Sequence, residues 1–141
     1  MAADHPLAAK TSIRMRDCSG WAAVLPRADA GVRQLLNVGL ISRNTELEIV
    51  AESNNQEFLH NYLTQEPVIS FQIPIALPQG MIKQLGGVNN VVARPVDLSD
   101  VPAGILHVGQ LKGRVLPVAA AKFLDNIINE LSSRYGGDLD Q

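Results

Sequence analysis

The period of apolar positions changes several times along the chain, and each change predicts an element. In the stretch from Leu47 to Pro74, Leu47, Ile49 and Ala51 alternate with Glu48, Val50 and Glu52, and Ile69, Phe71 and Ile73 alternate with Ser70 and Gln72. That two-residue period is the signature of half-buried strands. Between them Phe58, Leu59, Tyr62 and Leu63 share one face of a helix, which Ser53-Asn54-Asn55-Gln56 would open as a capping box and Pro67 would stop. Strand, capped helix and strand make a βαβ unit, so the two strands are expected to be parallel neighbours joined by a right-handed crossover.

The same logic appears upstream. Trp21 to Leu25 is a short apolar run closed by Pro26, which predicts a buried strand ending where proline removes a donor. Asp29 then offers an N-cap for a helix carrying Val32, Leu35, Leu36 and Leu40, ended by Gly39 or by Ser42-Arg43-Asn44. Two helix N-termini, near Asp29 and near Ser53, would thus lie on one edge of a parallel sheet. Open α/β sheets bind small, often anionic, ligands at such an edge.

The remaining pattern is less regular. Met1 to Ser12 has no sustained period and reads as extended. Pro78, Gly80, Gly86 and Gly87 bracket Met81 to Leu85, which predicts a single helical turn. Val91 to Val96 and Gly104 to Val108 predict two more strands, and Pro95 implies that the first lies at an edge or ends there. A last helix is expected with Pro117 at its first position, an apolar stripe of Phe123, Leu124, Ile127, Ile128 and Leu131, and Gly136-Gly137 at its end.

Composition narrows the class. At 141 residues the chain supports one ordinary domain, and 46% hydrophobic with 4% aromatic residues suits a sheet covered by helices. The expected fold is therefore α/β, with an open, mostly parallel sheet and flanking helices. Twelve Lys and Arg against 14 Asp and Glu, with no basic run, lack the footprint of a nucleic-acid binder, so any DNA contact must come from another segment. Cys18 is the lone cysteine, no secretory leader pattern opens the chain and no apolar run reaches spanning length, so a cytoplasmic setting without membrane contact is expected.

Candidate chemistry is sparse. His5, His60 and His107 stand far apart and form no ligand pair, so no metal site is expected, and His107 reads as a strand residue with a satisfied partner. Cys18 has no nucleophile signature and reads as a small buried hydrophobe. There is no G-x-S-x-G, Walker A or G-x-G-x-x-G string, so neither a catalytic residue nor a cofactor is expected. Better candidates are Arg27, Asp29, Ser53, Asn54 and Asn55, which place donors and acceptors beside unpaired helix-start N–H groups. Simple capping by Asp29 and Ser53 competes with that reading, and both can hold together. Ser70 and Gln72 would line the same crevice or face a covering loop.

Several strings in order resemble the effector-binding domain of LysR-type bacterial transcriptional regulators. They are His5-Pro6-Leu7-Ala8, the strand ending in Leu25-Pro26, the helix with Leu35-Leu36, and Glu52-Ser53-Asn54. Leu106-His107-Val108-Gly109-Gln110-Leu111 and Ala119-Ala120-Ala121-Lys122-Phe123-Leu124 complete the series. The resemblance implies two α/β subdomains of periplasmic-binding-protein type II, with an effector in the cleft between them. It implies that residues 1–18 are a leading hinge segment, 19–103 the second subdomain, and 104–141 the return strand and helix of the first. The winged helix-turn-helix and the first part of the first subdomain would lie outside this chain, as in a cut fragment or a truncated gene. Effector contacts then map to the loop Arg27 to Ala30 and to Ser53, Asn54 and Asn55. Many members carry an Ala-Gly-x-Gly turn after the second helix; here Gln65-Glu66-Pro67-Val68 stands instead, so the resemblance carries no effector identity.

Two further readings come from other classes: a small stand-alone α/β enzyme using the same crevice, and a structural module without a ligand. The resemblance also implies homo-oligomers. If the last helix packs on a subdomain mostly outside this chain, its stripe should self-associate or repack over the sheet.

Overall fold

The computed structural model describes residues 1–77, 90–105, 107 and 109–135. The chain forms two compact units, Met1–Ile105 and Leu106–Gln141. In the first unit β1 (Ala22–Leu25) and β2 (Glu48–Glu52) run parallel, with Ala22 opposite Glu48 and Leu25 opposite Glu52. They are joined by α1 (Gly31–Ser42), and α2 (Gln56–Gln65) follows β2. This is the small α/β architecture that the alternating periods predict.

The second strand of the expected βαβ unit is corrected in two ways. Only Ile69 pairs with the sheet, through a parallel bridge to Ala23. Because Ala23 is also paired with Ile49, the Ile69 segment and β2 lie on opposite edges of β1 and are not neighbours. The backbone bonds agree: Val24 N–H donates to Ile69 O at 2.9 Å and Ile69 N–H to Ala22 O at 3.0 Å, whereas Leu25 O accepts from Ser53 N–H at 3.0 Å. Pro67 and Pro74 flank the segment and remove ladder donors. Beyond the bridge the chain runs into a 3₁₀ turn at Pro74–Ala76.

β1 is the centre of the core. Ala23 and Leu25 face Leu36 of α1, together with Leu7, Ile13, Met15, Cys18 and Ile69. Val24 points the other way, against Leu59 and Leu63 of α2 and against Val68 and Val91. One strand of alternating side chains thus has a helix on each face. Full burial of Val24 and Leu25 contributes about 1.5–3 kcal/mol each. β2 departs from its expected half-burial. Among the described residues it is paired on one side only, and Ile49 and Val50, on opposite faces, are 45% and 43% exposed.

Helix ends also differ from the pattern. Gly39 is an interior helix residue, and its role is close approach: a Cβ there would lie 2.5 Å from Val101 Cγ2 and 3.0 Å from Asp100 O. α1 ends three residues later. Asn44 takes a left-handed φ of 48°, and Asn44 and Thr45 N–H groups donate to Ile41 O and Leu40 O, which is a Schellman closure. The leading segment is not extended throughout, because it folds into 3₁₀ turns at Pro6–Ala9 and Met15–Cys18.

The expected strand at 91–96 reduces to two single bridges, Ala2 to Val91 and Ile13 to Val96, and the described residues of 104–108 belong to no strand. Pro95 has no N–H to extend the second. His107 is exposed and belongs to no strand, and Leu106 and Val108 lie outside the described residues. So do Met81 to Leu85 and Gly136-Gly137. In the second unit α3 spans Val118–Tyr135, and Pro117 stands just before it, its carbonyl accepting from Ala121 N–H. Pro117 therefore occupies the cap position, one residue earlier than expected. Phe123 and Ile128 of the stripe are 66% and 45% exposed.

Candidate functional site

The loops that follow β1 and β2 lie side by side because their strands are parallel neighbours. The bond from Ser53 N–H to Leu25 O is the last contact of the ladder, and both chains turn away beyond it. Arg27, Asp29 and Ala30 occupy the first loop, and Ser53, Asn54 and Asn55 the second. All six are thereby brought to the carboxyl ends of the two strands, Ala30 and Ser53 half-buried and the other four exposed.

One side chain joins the loops directly. Asn54 Oδ1 accepts from Arg27 N–H at 3.0 Å. Arg27 Nε stands 3.8 Å from Asp29 Oδ1, a pair open to solvent on both sides and worth little energetically. Asn55, not Ser53, caps α2: its Oδ1 accepts from Phe58 N–H at 2.9 Å, while Ser53 Oγ accepts from Asn55 N–H at 3.1 Å. The expected box does not form: Asn55 sits one residue before the helix and reaches its third N–H, where Phe58 has no side-chain acceptor to return the bond. Asp29 does not cap α1 either. Ala30 is the residue at that position, and among the described residues no side chain caps the first turn.

The two helix starts therefore differ chemically. α2 has its own side-chain acceptor and an acidic Glu57 in its first turn. α1 has neither, and Arg27 lies in the loop before it. An anion is favoured by unpaired N–H groups and a nearby cation, so the α1 end suits negative charge better.

Periodicity gives no sign of Arg33, whereas the strand alternation offers Ser70 and Gln72 as residues lining the crevice or facing a covering loop. Arg33, 8% exposed, lies beneath both loops: its Nη1 donates to Pro26 O at 3.0 Å and to Glu52 Oε1 at 2.5 Å, and its Nε to Asn37 Oδ1 at 3.1 Å. It ties the residue before the first loop to the residue before the second. Gln56 Nε2 donates to Gln72 Oε1 at 3.0 Å, bringing Gln72 to the start of α2. Ser70 Oγ is buried and has no hydrogen-bond partner among the described residues. Partners 16 and 19 residues apart carry no local sequence signal.

The most perturbed carboxyl group lies elsewhere. Asp100, with 2% of its side chain exposed, accepts from Arg14 Nε at 2.7 Å, Arg14 Nη2 at 2.8 Å and Met15 N–H at 2.8 Å. Arg43 Nε adds a fourth contact at 2.8 Å. The Arg14 hydrogen bonds, opposed by desolvation and helped by Met15 N–H and Arg43, hold this carboxyl well below the usual range. Cys18 is buried as expected, and burial first, then Asp17 and Asp100, pushes its thiol up to about 12. A thiol so held is a packing group, not a nucleophile.

Among the described residues no His, Cys, Asp and Glu side chains cluster as metal ligands, and no helix is long and apolar enough to cross a membrane. No curated protein matches the chain. The family model for the LysR substrate binding domain matches residues 1–132. That span includes β1, β2 and all three helices but the last turn of α3, together with both loops at the strand ends. The chain belongs to the LysR substrate binding domain family, the periplasmic-binding-protein-like effector module of LysR-type transcription regulators.

Proposed function

We propose that this chain is the ligand-sensing and oligomerising part of a bacterial, cytoplasmic LysR-type regulator. A small anionic metabolite binds against Arg27, Asp29, Ala30, Ser53, Asn54 and Asn55, and its occupancy controls a winged helix-turn-helix carried by another segment. Residues 19–103 serve as the second effector subdomain, 104–141 as the return into the first, and 1–18 as the leading hinge. The observation that carries this reading is the Asn54 side chain holding Arg27 N–H at 3.0 Å. It makes two loops from separate strand-helix units into one surface beside the uncapped start of α1.

Thermal unfolding against a panel of amino acids, aromatic acids and other small carboxylates tests the site. A ligand that binds only the folded chain stabilises it by about 2.7 kcal/mol at a concentration of 100 Kd. The expected result is a concentration-dependent shift that Arg27→Ala or Asn54→Ala removes. No shift on this chain, and none on a longer chain carrying both walls of the cleft, overturns the assignment. For self-association, the exposed Phe123 and Ile128 supply an apolar surface. Sedimentation is expected to show a dimer or larger species, and a strictly monomeric chain counts against it.

A further inference from the structure

His5 is a titratable group that the ligand-sensing reading leaves unused. It is 4% exposed and stands at the N-cap of the 3₁₀ turn Pro6–Ala9, where Nδ1 accepts from Leu7 N–H at 3.1 Å. Its ring lies 4.4 Å from the Trp21 ring, centroid to centroid, tilted by 56°. Nε2 is buried without a partner among the described residues. A ring nitrogen accepts a hydrogen bond only when it carries no proton, so this geometry specifies the neutral imidazole with its proton on Nε2. Imidazolium has no free acceptor. Protonation would set two N–H groups against each other at Leu7 and place a charge in a buried site.

The surroundings offer little to offset that charge. Asp4 on the same segment favours the cation, and the Met1 ammonium opposes it. Arg94, the charged group reaching this turn from the 91–96 stretch, gives its guanidinium to Ala8 O at 3.0 Å and Ala93 O at 2.9 Å. Trp21 presents an uncharged indole, and in the next turn Asp17 is paired with Lys10 at 2.9 Å.

The turn that His5 caps is part of the core. Leu7 and Ala8 are buried, and the residues before them pair with the far end of the unit through Ala3 N–H to Asn90 O and Val92 N–H to Met1 O, both 2.9 Å. We propose that His5 is an acid-sensitive latch: neutral, it fastens residues 1–9 onto Trp21 and the 90–92 stretch, and its protonation releases them. Burial, with a smaller contribution from the Met1 ammonium, holds the ring below its ordinary value. The unfolded chain then binds the proton more readily than the folded one. Stability is fully present above about pH 6.5 and declines as pH falls through that value toward the lowered folded one.

Trp21 is the only tryptophan, so its emission reads the latch in the intact chain. The expected result is a reversible change in emission between about pH 8 and pH 5, with a midpoint below about 6.5. His5→Asn keeps a capping acceptor and binds no proton in this range, so it should abolish the change while His60 and His107 remain. The Met1 ammonium, pushed down to about 6 by burial and Arg94, titrates in the same window, so the measurement is repeated on a chain acetylated at Met1. Persistence after acetylation supports the latch. An unchanged response in His5→Asn, or loss of the response on acetylation, overturns it. Should His5→Asn fail to fold, the imidazole signals of the parent chain decide by magnetic resonance. A neutral ring protonated on Nε2 and titrating below about 6.5 supports the latch, and titration at or above that value overturns it.

Discussion

The two ends of the first unit are held by different means. At the carboxyl ends of β1 and β2 the loops are mostly exposed, and one side-chain bond, Asn54 to Arg27 N–H, spans them directly. Around Asp100 four donor contacts from Arg14, Met15 and Arg43 converge on one nearly buried carboxylate. The most perturbed carboxylate therefore marks where the chain is fastened. Perturbed titration is often taken as a sign of a functional site, but structural ion networks produce the same signal. The loops proposed to meet a ligand hold their polar groups by single hydrogen bonds or a loose, solvent-open ion pair, as a surface that must exchange water for an effector requires.

The sharpest break of this contrast is Asp100→Asn. It removes the charge that Arg14 and Arg43, 38% and 42% exposed, share, and it sets a buried amide NH₂ among donors that the carboxylate had satisfied. The melting temperature at neutral pH is expected to fall further than for any substitution in residues 27–30 or 53–55. The pH dependence follows from the sign of the shift. The folded-state value is lowered, so the unfolded chain binds more protons, and the stability is present above about pH 4 and lost as pH falls below it. Asp100→Asn should be less stable at pH 7 and lose less on acidification. Equal sensitivity of the two chains to acid, read by denaturant midpoints at each pH, would remove the distinction between the two ends.

A smaller effect is expected where the same fastening meets α1. Gly39→Ala puts a methyl 2.5 Å from Val101 Cγ2 and 3.0 Å from Asp100 O, and the second contact is backbone that cannot swing aside. Alanine is the better helix former, which alone would add stability. Overpacking should win, with a net loss of about 1–3 kcal/mol. A stabilised Gly39→Ala would show that the 97–101 segment yields easily, and that the clamp is looser than its ion pairs suggest.

Legibility in the sequence followed the same divide. β1, α1, β2 and α2 were readable because each carries its own period and punctuation within a dozen residues. The Ile69 to Ile73 alternation was misleading, because pairing depends on which edge of β1 is open and on the prolines at both ends. The six loop residues could be placed at the strand ends from topology alone. Arg33 could not, because its hold on Pro26 O and Glu52 exists only once α1 has packed beneath both loops. Nor could the partners of Asp100, since Arg14 lies 86 residues away and no periodicity relates them. Local physics wrote the elements, and long-range pairing decided what they hold.

The smallest expected effect lies at the loops themselves. Asn54→Ala removes an exposed acceptor from Arg27 N–H, and water can replace it, so the stability should change by no more than about 0.5 kcal/mol. Asn55→Ala, one residue on, removes the cap of α2 from Phe58 N–H and should lose about 1 kcal/mol. The pair separates two uses of one residue type on one loop. Chemical denaturation gives both values, and the ligand panel should rank them in the opposite order, with Asn54→Ala the more damaging to binding. If Asn54→Ala instead destabilises the chain as much as Asn55→Ala, its side chain is part of the scaffold, and the proposed loop surface loses its main candidate ligand contact.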